Sequence, residues 1–457
     1  MTPSARLAAS IELLQLIETE PRPADATASA YFRKRRFIGA KDRADVSTVV
    51  YRAMRRRARL TWQIEQAGGT LSARTLAMAD LIVGEGADHG LVERMFSGGA
   101  YAPVTLTPQE ASLARRLGGR RLDHPGMPEA VRGECPDWAE ADLKRALGDR
   151  FQLEMAALTL PAPLDLRVNV LKSGRDAVIA SLNADGIKAT ATKLSPVGIR
   201  LEGRPAVMAH PLYKDGAIEI QDEGSQLVAL MVDARAGQEV VDFCAGAGGK
   251  TLAIAACMGN RGRVIATDVL ANRLLRARER FRRAGIHNIQ TRGITGETDP
   301  WIKRHRARFD RVLVDAPCTG TGTWRRNPDM RWRTLGPGLA ELLPLQARLL
   351  DSAARLVKPG GRLIYATCSM LPSENEDHAV DFLAAHPEFF LKSADELWRQ
   401  AVWPEGGPEA PSSPYLRLTP ARHDTDGFFA AVFERKPGVV ETAADEAGDQ
   451  NITVPMI

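Results

Sequence analysis

Apolar residues recur every three or four positions through the first 140 residues, and this spacing predicts helices. Residues 5–19 (ARLAASIELLQLIET) follow it, and residues 45–69 continue it up to a pair of glycines, a common helix ending. Residues 121–140 (RLDHPGMPEAVRGECPDWAE) interrupt the pattern with proline and glycine, which predicts a linker. We therefore expect an all-helical domain over residues 1–140.

The next hundred residues have mixed periodicity. A helical pattern over residues 174–186 ends at Gly186, and it lies among short segments with the alternation of strands. These strand-like segments are residues 164–172, 187–194, 198–203 and 217–222. We expect a small α+β module over residues 141–235.

From residue 236 to residue 436, strand-like and helix-like segments alternate. The strand-like segments include QEVVDFCAG, RVIATDV, IQTRGI, DRVLVDAP and GRLIYATC. Such alternation predicts an α/β domain with a mostly parallel sheet and helices on both faces. The last strand-like segment, GFFAAVFER, follows an irregular stretch over residues 397–425 and need not be parallel. The polar tail, residues 437–457, is expected to be disordered.

The composition is that of an ordinary globular protein of two or three domains. The 457 residues are 44% hydrophobic and 26% charged. No apolar stretch approaches the ~18 residues of a membrane span, and the N-terminus lacks the apolar segment of a signal peptide. We expect a cytoplasmic monomer with no membrane contact and no obligate protein partner.

The charged residues and the cysteines narrow the chemistry. The net charge of +5 is small, but arginine is concentrated in residues 32–37, 51–60, 115–121 and 273–283. These runs predict a phosphate-binding surface, although each also fits a solvated helix face. The five cysteines are an odd number without a CxxC pair, which argues against a disulfide framework and against a zinc site.

A glycine-rich loop, DFCAGAGGKT at residues 242–251, joins the first strand of the α/β domain to its helix. A phosphate-binding P-loop would need glycine where Cys244 stands, and a dinucleotide fingerprint would need glycine or alanine at Thr251. The loop of S-adenosylmethionine-dependent methyltransferases has less strict spacing. Asp268 ends the second strand, where a carboxylate can accept hydrogen bonds from ribose hydroxyls or can cap the next helix.

Two cysteines follow neighbouring strand-like segments. Cys318 follows Asp315-Ala-Pro, and Cys368 follows YAT. The carboxyl ends of parallel strands meet at one edge of a sheet, so adjacent strands would bring both thiols and the Asp315 carboxylate into one pocket. A thiolate that adds to carbon 6 of a pyrimidine makes carbon 5 nucleophilic, and an acid at N3 stabilises the adduct. The alternative is that both cysteines are small buried apolar residues.

Four motifs, DFCAGAGGKT, DAPCTGTGTWRRNPDMRW, YATCSMLPSENE and DGFFAAVFER, resemble those of the RNA 5-methylcytosine methyltransferases of the Sun/Fmu (NOL1/NOP2/Sun) family. The bacterial members that methylate 16S rRNA are the most similar. The resemblance extends over residues 160–436. Before residue 140 only the helical character and the basic runs resemble the NusB-like RNA-binding domain of those members.

The resemblance implies a function and a set of site residues. It implies that S-adenosylmethionine methylates carbon 5 of a cytosine in RNA, most naturally 16S rRNA. Cys368 would be the nucleophile, Cys318 would assist product release, Asp315 would contact the cytosine edge, and Lys250 would lie close to the base. The cofactor would be held by Cys244, Ala245, Gly246, Ala247, Gly248, Gly249, Lys250, Asp268, Arg273 and Asp315.

Two departures from the family pattern keep alternatives open. The loop has Ala-Gly-Ala at residues 245–247 where the family usually has Ala-Ala-Pro. Ile294 stands where the family has an acid that contacts the adenine amine, so cofactor affinity is expected to be weak. An inactive RNA-binding ribosome assembly factor remains an alternative, and an NAD-dependent Rossmann oxidoreductase is a more remote one.

Overall fold

The computed structural model describes residues 1–438 and begins with a bundle of α-helices. Local capping defines several helix starts; Thr2, for example, accepts a hydrogen bond from the amide of Ala5 at 3.1 Å. Leu13, Val50 and Ile64 are fully buried in its core. The all-helical N-terminal region is thus confirmed. Its helices are α1 Pro3–Thr19, α2 Ala24–Lys34, α3 Ala40–Arg55, α4 Arg57–Gln66, α5 Ala73–Ala79, α6 His89–Met95 and α7 Pro108–Leu117.

Three further helices follow, and they change the picture of the predicted linker. They are α8 Glu129–Arg132, α9 Asp137–Leu147 and α10 Phe151–Thr159. Glu134 is fully buried and accepts a hydrogen bond from the amide of Ala58 at 2.7 Å, and Cys135 is buried beside it. The prediction of a linker over residues 121–140 is therefore wrong, because proline and glycine here separate packed helices. The expected domain boundary at residue 140 falls within α9.

The small α+β module is confirmed. Its sheet is antiparallel throughout, in the order β2-β3-β1-β4, and Leu166 of the central strand pairs with Ile199 and Ile220. The module consists of β1 Leu164–Val168, α11 Arg175–Ala184, β2 Ala189–Ala191, β3 Gly198–Leu201, α12 Pro211–Lys214 and β4 Ile218–Ile220.

The third part contains the predicted α/β sheet. Its elements are α13 Glu223–Leu230, β5 Glu239–Asp242, α14 Gly249–Cys257, β6 Arg263–Asp268, α15 Ala271–Ala284, β7 Ile289–Gly293, α16 Pro300–Arg304, β8 Phe309–Asp315, α17 Leu339–Ala354, β9 Val357–Thr367, α18 Glu376–Ala385, β10 Phe389–Lys392, α19 Ala394–Leu397, β11 Leu416–Leu418, α20 Pro420–His423 and β12 Phe428–Arg435. The stretch 397–425 is thus less irregular than expected.

The sheet order is β10-β12-β9-β8-β5-β6-β7, and β11 also pairs with β12. Five neighbouring strands, from β9 to β7, are parallel, and β12 runs antiparallel to β9. One apolar cluster covers each face of this sheet. The carboxyl ends of β5, β6, β8 and β9 therefore meet at a single edge. Within residues 1–438, no helix is long and apolar enough to cross a membrane.

Candidate active site

The glycine loop, residues 243–248, connects β5 to α14 at this edge. Gly246 and Gly248 have φ values of 55° and 76°, which favour glycine. A Cβ atom on Gly248 would stand 2.6 Å from the ring of Phe281 in α15. The amide of Ala245 donates to the carbonyl of Thr267 at 2.9 Å, so the loop follows the end of β6. The glycines therefore let the loop pack closely on its neighbours without a proline.

Asp268 joins the end of β6 to the glycine loop. One of its carboxylate oxygens accepts from the amide of Gly246 and the other from the amide of Leu270, both at 2.8 Å. Arg273 places its guanidinium 3.7 Å from the same carboxylate. Asp268 thus ties the glycine loop to the turn that precedes α15. A carboxylate can accept about four hydrogen bonds, so Asp268 keeps further acceptor capacity.

Asp242, at the end of β5, is a buried acid that sequence reasoning did not single out. Oδ2 accepts from the hydroxyl of Thr251 at 2.6 Å, and Oδ1 is buried without a hydrogen-bond partner in the described chain. Burial raises the pKa of Asp242 to about 7. Its position directly before the glycine loop could have indicated that it belongs to the site.

Lys250, in the first turn of α14, forms an ion pair with Asp315 at the end of β8. Nζ lies 2.7 Å from Oδ2 of Asp315 and 5.4 Å from the ring centroid of Phe428. Burial disfavours the charge on Lys250, but the Asp315 carboxylate outweighs it and raises the pKa of the ammonium group. The partly exposed carboxylate of Asp315 is thereby held beside the largely buried ammonium group of Lys250.

The two thiols lie together beside this ion pair. Because β8 and β9 are neighbours with Asp315 opposite Ala366, Cys318 and Cys368 meet with their sulfur atoms 3.5 Å apart. The hydrogen bond with Cys368, followed by burial, raises the pKa of the Cys318 thiol well above its ordinary value.

A buried polar network fastens the two cysteine loops, which we define as residues 316–335 after β8 and residues 368–375 after β9. Glu374 accepts from the backbone amide of Thr319 and from Gln346, each at 2.9 Å. Asn375 accepts from the hydroxyl of Thr367 at 2.6 Å and donates to the carbonyl of Ser369 at 3.0 Å. Glu374 and Asn375 lie within the quoted YATCSMLPSENE motif, but they were not predicted as site residues.

The predicted site residues converge on one edge of the sheet. The ten residues expected to hold the cofactor lie in or beside the glycine loop, at the start of α14 or α15, or at the ends of β6 and β8. Cys244 packs against the apolar cluster on one face of the sheet, and burial raises the pKa of its thiol. Ala247 is exposed at the tip of the loop. In residues 1–438 no cluster of His, Cys, Asp or Glu is arranged to hold a metal ion.

Ile294, at the end of β7, stands where the family pattern has an acid. Its side chain is only 7% exposed and packs in an apolar cluster with Trp301 and Val241. Its amide donates to the carbonyl of Asp268 at 3.2 Å. The neighbouring Thr295 instead donates, through its amide and its hydroxyl, to Asp299. An aspartate placed at residue 294 in this packing would bury its carboxylate among apolar side chains.

A parallel sheet with a glycine loop after its first strand, and an acid after its second, is the arrangement of the Rossmann-like class, which includes the S-adenosylmethionine-dependent methyltransferases. The model of the 16S rRNA methyltransferase RsmB/F family matches residues 229–434, and that of the ferredoxin-like domain of RsmF/B-like methyltransferases matches residues 135–208. With the relatives below, these matches establish that the chain belongs to the RsmB/F family, as its motifs indicated.

Relatives and solved structures agree with this assignment. A probable ribosomal RNA small subunit methyltransferase B of Synechocystis sp. is 35% identical over 321 residues, 70% of each chain. The ribosomal RNA small subunit methyltransferase B of Sodalis glossinidius is 34% identical over 66% of each chain. The crystal structure of PH0851 is 27% identical with a TM-score of 0.75, and the match covers 95% of this chain and 99% of that one. A methyltransferase homolog from Pyrococcus horikoshii is 28% identical with a TM-score of 0.56, over 67% and 97%.

Proposed function

We propose that this protein uses S-adenosylmethionine to methylate carbon 5 of a cytosine in 16S rRNA through a covalent adduct with Cys368. The observation that carries the proposal is the contact of the two thiols at 3.5 Å, beside the Lys250–Asp315 ion pair at 2.7 Å. Carbon 5 needs activation by a nucleophile at carbon 6, and this site combines a nucleophile with a held carboxylate. The names of the relatives indicate that the substrate is small-subunit ribosomal RNA.

The residues at the edge of the sheet fit the cofactor. The glycines keep the loop poor in side chains of its own, and Asp268 keeps acceptor sites for ribose hydroxyls. When bound there, S-adenosylmethionine would supply a methyl group to carbon 5. Arg273 lies over Gly246 and would contact the bound cofactor. The buried Ile294 leaves the adenine amine without an acid at that position.

Each catalytic residue has a role that its contacts support. The Cys368 sulfur adds to carbon 6 and the carbon 5–carbon 6 double bond opens, while the proton of the Cys368 thiol passes to N3 through Asp315, which is paired with Lys250. After methyl transfer, the carbon-5 proton leaves to a solvent water, the double bond re-forms, the sulfur departs as a thiolate and that thiolate takes back the proton from N3. Cys318, whose sulfur lies 3.5 Å from that of Cys368, donates a hydrogen bond to the departing sulfur.

Family membership counts against the oxidoreductase, and the intact pair of thiols counts against an inactive assembly factor. A methylation assay on 16S rRNA with labelled S-adenosylmethionine separates the enzyme from the assembly factor. Incorporation at carbon 5 of cytosine supports the proposal, whereas an active enzyme that methylates another atom would contradict it.

The adduct itself is tested with single cysteine variants. Cys318→Ala is expected to accumulate a protein–RNA adduct that survives a denaturing gel, because the departing sulfur loses its hydrogen-bond donor. Cys368→Ala is expected to form none. Cys257→Ala, which removes an exposed thiol from α14, serves as the matched control and is expected to behave like the wild type. Adducts from Cys368→Ala alone would show that the roles of the thiols are exchanged.

A further inference from the structure

A cleft outside the catalytic pocket is formed by all three parts of the chain. Its volume is about 880 Å³, within the range of ligand-binding cavities. Helices α3 and α4 form one wall, residues 159–161 after α10 another, and the module contributes Arg204. Arg325 and Arg326, from the cysteine loop after β8, complete it. A ligand in this cleft would therefore contact the N-terminal bundle and the catalytic domain together.

The lining of the cleft is strongly basic. Seven arginines contribute to it, together with the hydroxyl groups of Ser47, Thr48 and Tyr51, and no acidic side chain of residues 1–438 lines it. Arginine guanidinium and hydroxyl groups are the donors that proteins use for the phosphate oxygens of nucleic acids. The cleft is thus suited to an anion with several phosphate groups.

Most of these arginines are already paired with carboxylates that lie behind the lining. Arg52 and Arg56 bind Asp80, which is buried, at 2.8 and 3.0 Å. Arg59 is likewise paired with Glu134 at 2.9 Å. The ion pairs of Arg325 and Arg326 are formed with Asp222 and Asp426. These five residues build the cleft, but their charges are largely compensated.

Two arginines are not compensated in this way. Neither Arg55 nor Arg204 has a carboxylate within ion-pair distance among residues 1–438. Arg55 donates to the carbonyl of Arg325 at 3.2 Å, while its Nε is buried without a partner, and Arg204 is an exposed residue that donates to the carbonyl of Ala162 at 3.1 Å. Burial, followed by the charge of Arg204, lowers the pKa of Arg55. Two cations thus face one cleft without a counter-ion in the part of the chain that the structure describes.

We propose that this cleft binds the phosphodiester backbone of the substrate RNA, with Arg55 and Arg204 as the principal phosphate ligands. This inference rests on the proposed function, because RNA is the substrate assigned there. The cleft is close enough to the catalytic cysteines for one RNA molecule to reach both. Arg325 follows Cys318 by seven residues, so their Cα atoms are at most about 25 Å apart. The binding of RNA in the cleft would hold the cysteine loop after β8 against the bundle.

Other basic positions of the bundle lie outside the cleft. Arg57 is paired with Glu18 at 2.6 Å and does not line the cleft. Arg36 belongs to the basic run at residues 32–37, is exposed, and lies outside the cleft. Charge density along the sequence predicted an RNA surface in all of these runs, whereas within the cleft Arg55 and Arg204 are the two arginines without an ion pair among residues 1–438.

The test measures the affinity of the full-length protein for a 16S rRNA transcript as a function of salt. The double variant Arg55→Gln/Arg204→Gln is expected to bind about tenfold more weakly at low salt. Its plot of log affinity against log salt should lose roughly 0.7 units of slope for each phosphate contact removed. Arg36→Gln removes one charge from the same bundle and is expected to leave affinity and slope close to those of the wild type.

Further measurements exclude trivial causes. Circular dichroism and cofactor binding of the variants should match the wild type, and Arg204→Gln alone, at an exposed position, avoids any loss of packing at Arg55. An unchanged salt slope in the double variant, or an equal loss in Arg36→Gln, would overturn the cleft as the RNA site. If the wild type binds RNA through these arginines but transfers no methyl group, the proposed function fails while the cleft stands.

Discussion

The glycine loop and the cysteine loops lie at the same edge of one sheet, but different contacts hold them. The glycine loop is held through its backbone, by the carbonyl of Thr267 and the carboxylate of Asp268. The cysteine loops are held by side chains from distant positions, among them Glu374 and Gln346. One loop depends on conformation, and the others depend on a buried polar network.

The cysteine loops also depend on the N-terminal part of the chain. Trp324, Met370 and Leu371 form one apolar cluster with helices α8 to α10. Asp329 accepts from the first amide of α2 at 2.9 Å, across more than 300 residues of sequence. Because backbone hydrogen bonds hold the glycine loop, it tolerates changes of side chain and can lack the family's proline.

The cysteine loops require each partner of the side-chain network that holds them. Since the N-terminal part of the chain contacts these loops, it helps to place the two thiols.

The largest expected effect comes from breaking the network of the cysteine loops. In Glu374→Gln the amide oxygen can still accept from the Thr319 amide and from Gln346, but an NH₂ group replaces the oxygen that accepts from the Thr319 hydroxyl, and the charged acceptor is lost. We expect the rate of methyl transfer to fall by about a hundredfold or more, since a displacement of about 1 Å at a reacting group has this consequence. Steady-state assays with saturating cofactor measure it.

Glu388→Gln is the matched control, because Glu388 is a partly exposed acid of the same domain whose side chain pairs only with His386 among the described residues. Cofactor affinity should remain unchanged in Glu374→Gln. A parallel loss of cofactor affinity in that variant would show that the two kinds of loop are not held independently.

A smaller effect is expected on the side of the glycine loop. Asp268→Ala removes the acceptor of the Gly246 amide and the proposed acceptor of the ribose hydroxyls. Charge-assisted hydrogen bonds contribute roughly 1.5–3 kcal/mol, so S-adenosylmethionine should bind about ten- to a hundredfold more weakly. Calorimetric titration measures the change. If this variant binds S-adenosylmethionine as tightly as the wild type, the cofactor does not bind in this pocket. Loss of folding would show that Asp268 is primarily structural.

The smallest effect, taken per pH unit, concerns the stability contribution of Asp242. Its pKa is about 7 in the folded protein against about 4 in the unfolded chain, so the folded state binds the extra proton between these values. The stability of the wild type should therefore fall as the pH rises from about 4 to 7, by no more than about 1.4 kcal/mol per pH unit. Asp242→Asn should lack this contribution.

Melting temperatures of both proteins across this pH range check the prediction. The melting temperature of Asp242→Asn, relative to that of the wild type, should increase by a few degrees per pH unit as the pH rises toward 7. The reason is that ~1 kcal/mol of stability shifts the melting temperature of a domain of this size by about 2–4 °C. A constant difference between the two proteins would mean that Asp242 is ionised throughout, with a partner for its second oxygen that the described residues do not supply.

Much of the architecture was readable from local patterns. Helical periodicity predicted the N-terminal bundle, and the alternation of strand and helix predicted the parallel sheet. Proline and glycine misled the prediction at residues 121–140, where buried contacts such as those of Glu134 decide the structure. The pattern at Ile294 revealed a missing acid, but only packing with Trp301 and Val241 shows that an apolar cluster occupies its place.

The sequence by itself determined which groups meet at the edge of the sheet. Strand periodicity and the ends of parallel strands place Asp268, Asp315, Cys318 and Cys368 together, because neighbouring parallel strands end at the same edge. Only the tertiary structure decided how these groups are held and which charges are free. Glu374 reaches Thr319 across 55 residues, and carboxylates from remote segments pair with five of the seven arginines of the cleft but, among residues 1–438, not with Arg55 and Arg204. Such pairings depend on contacts between segments far apart in the chain, which local periodicity does not encode.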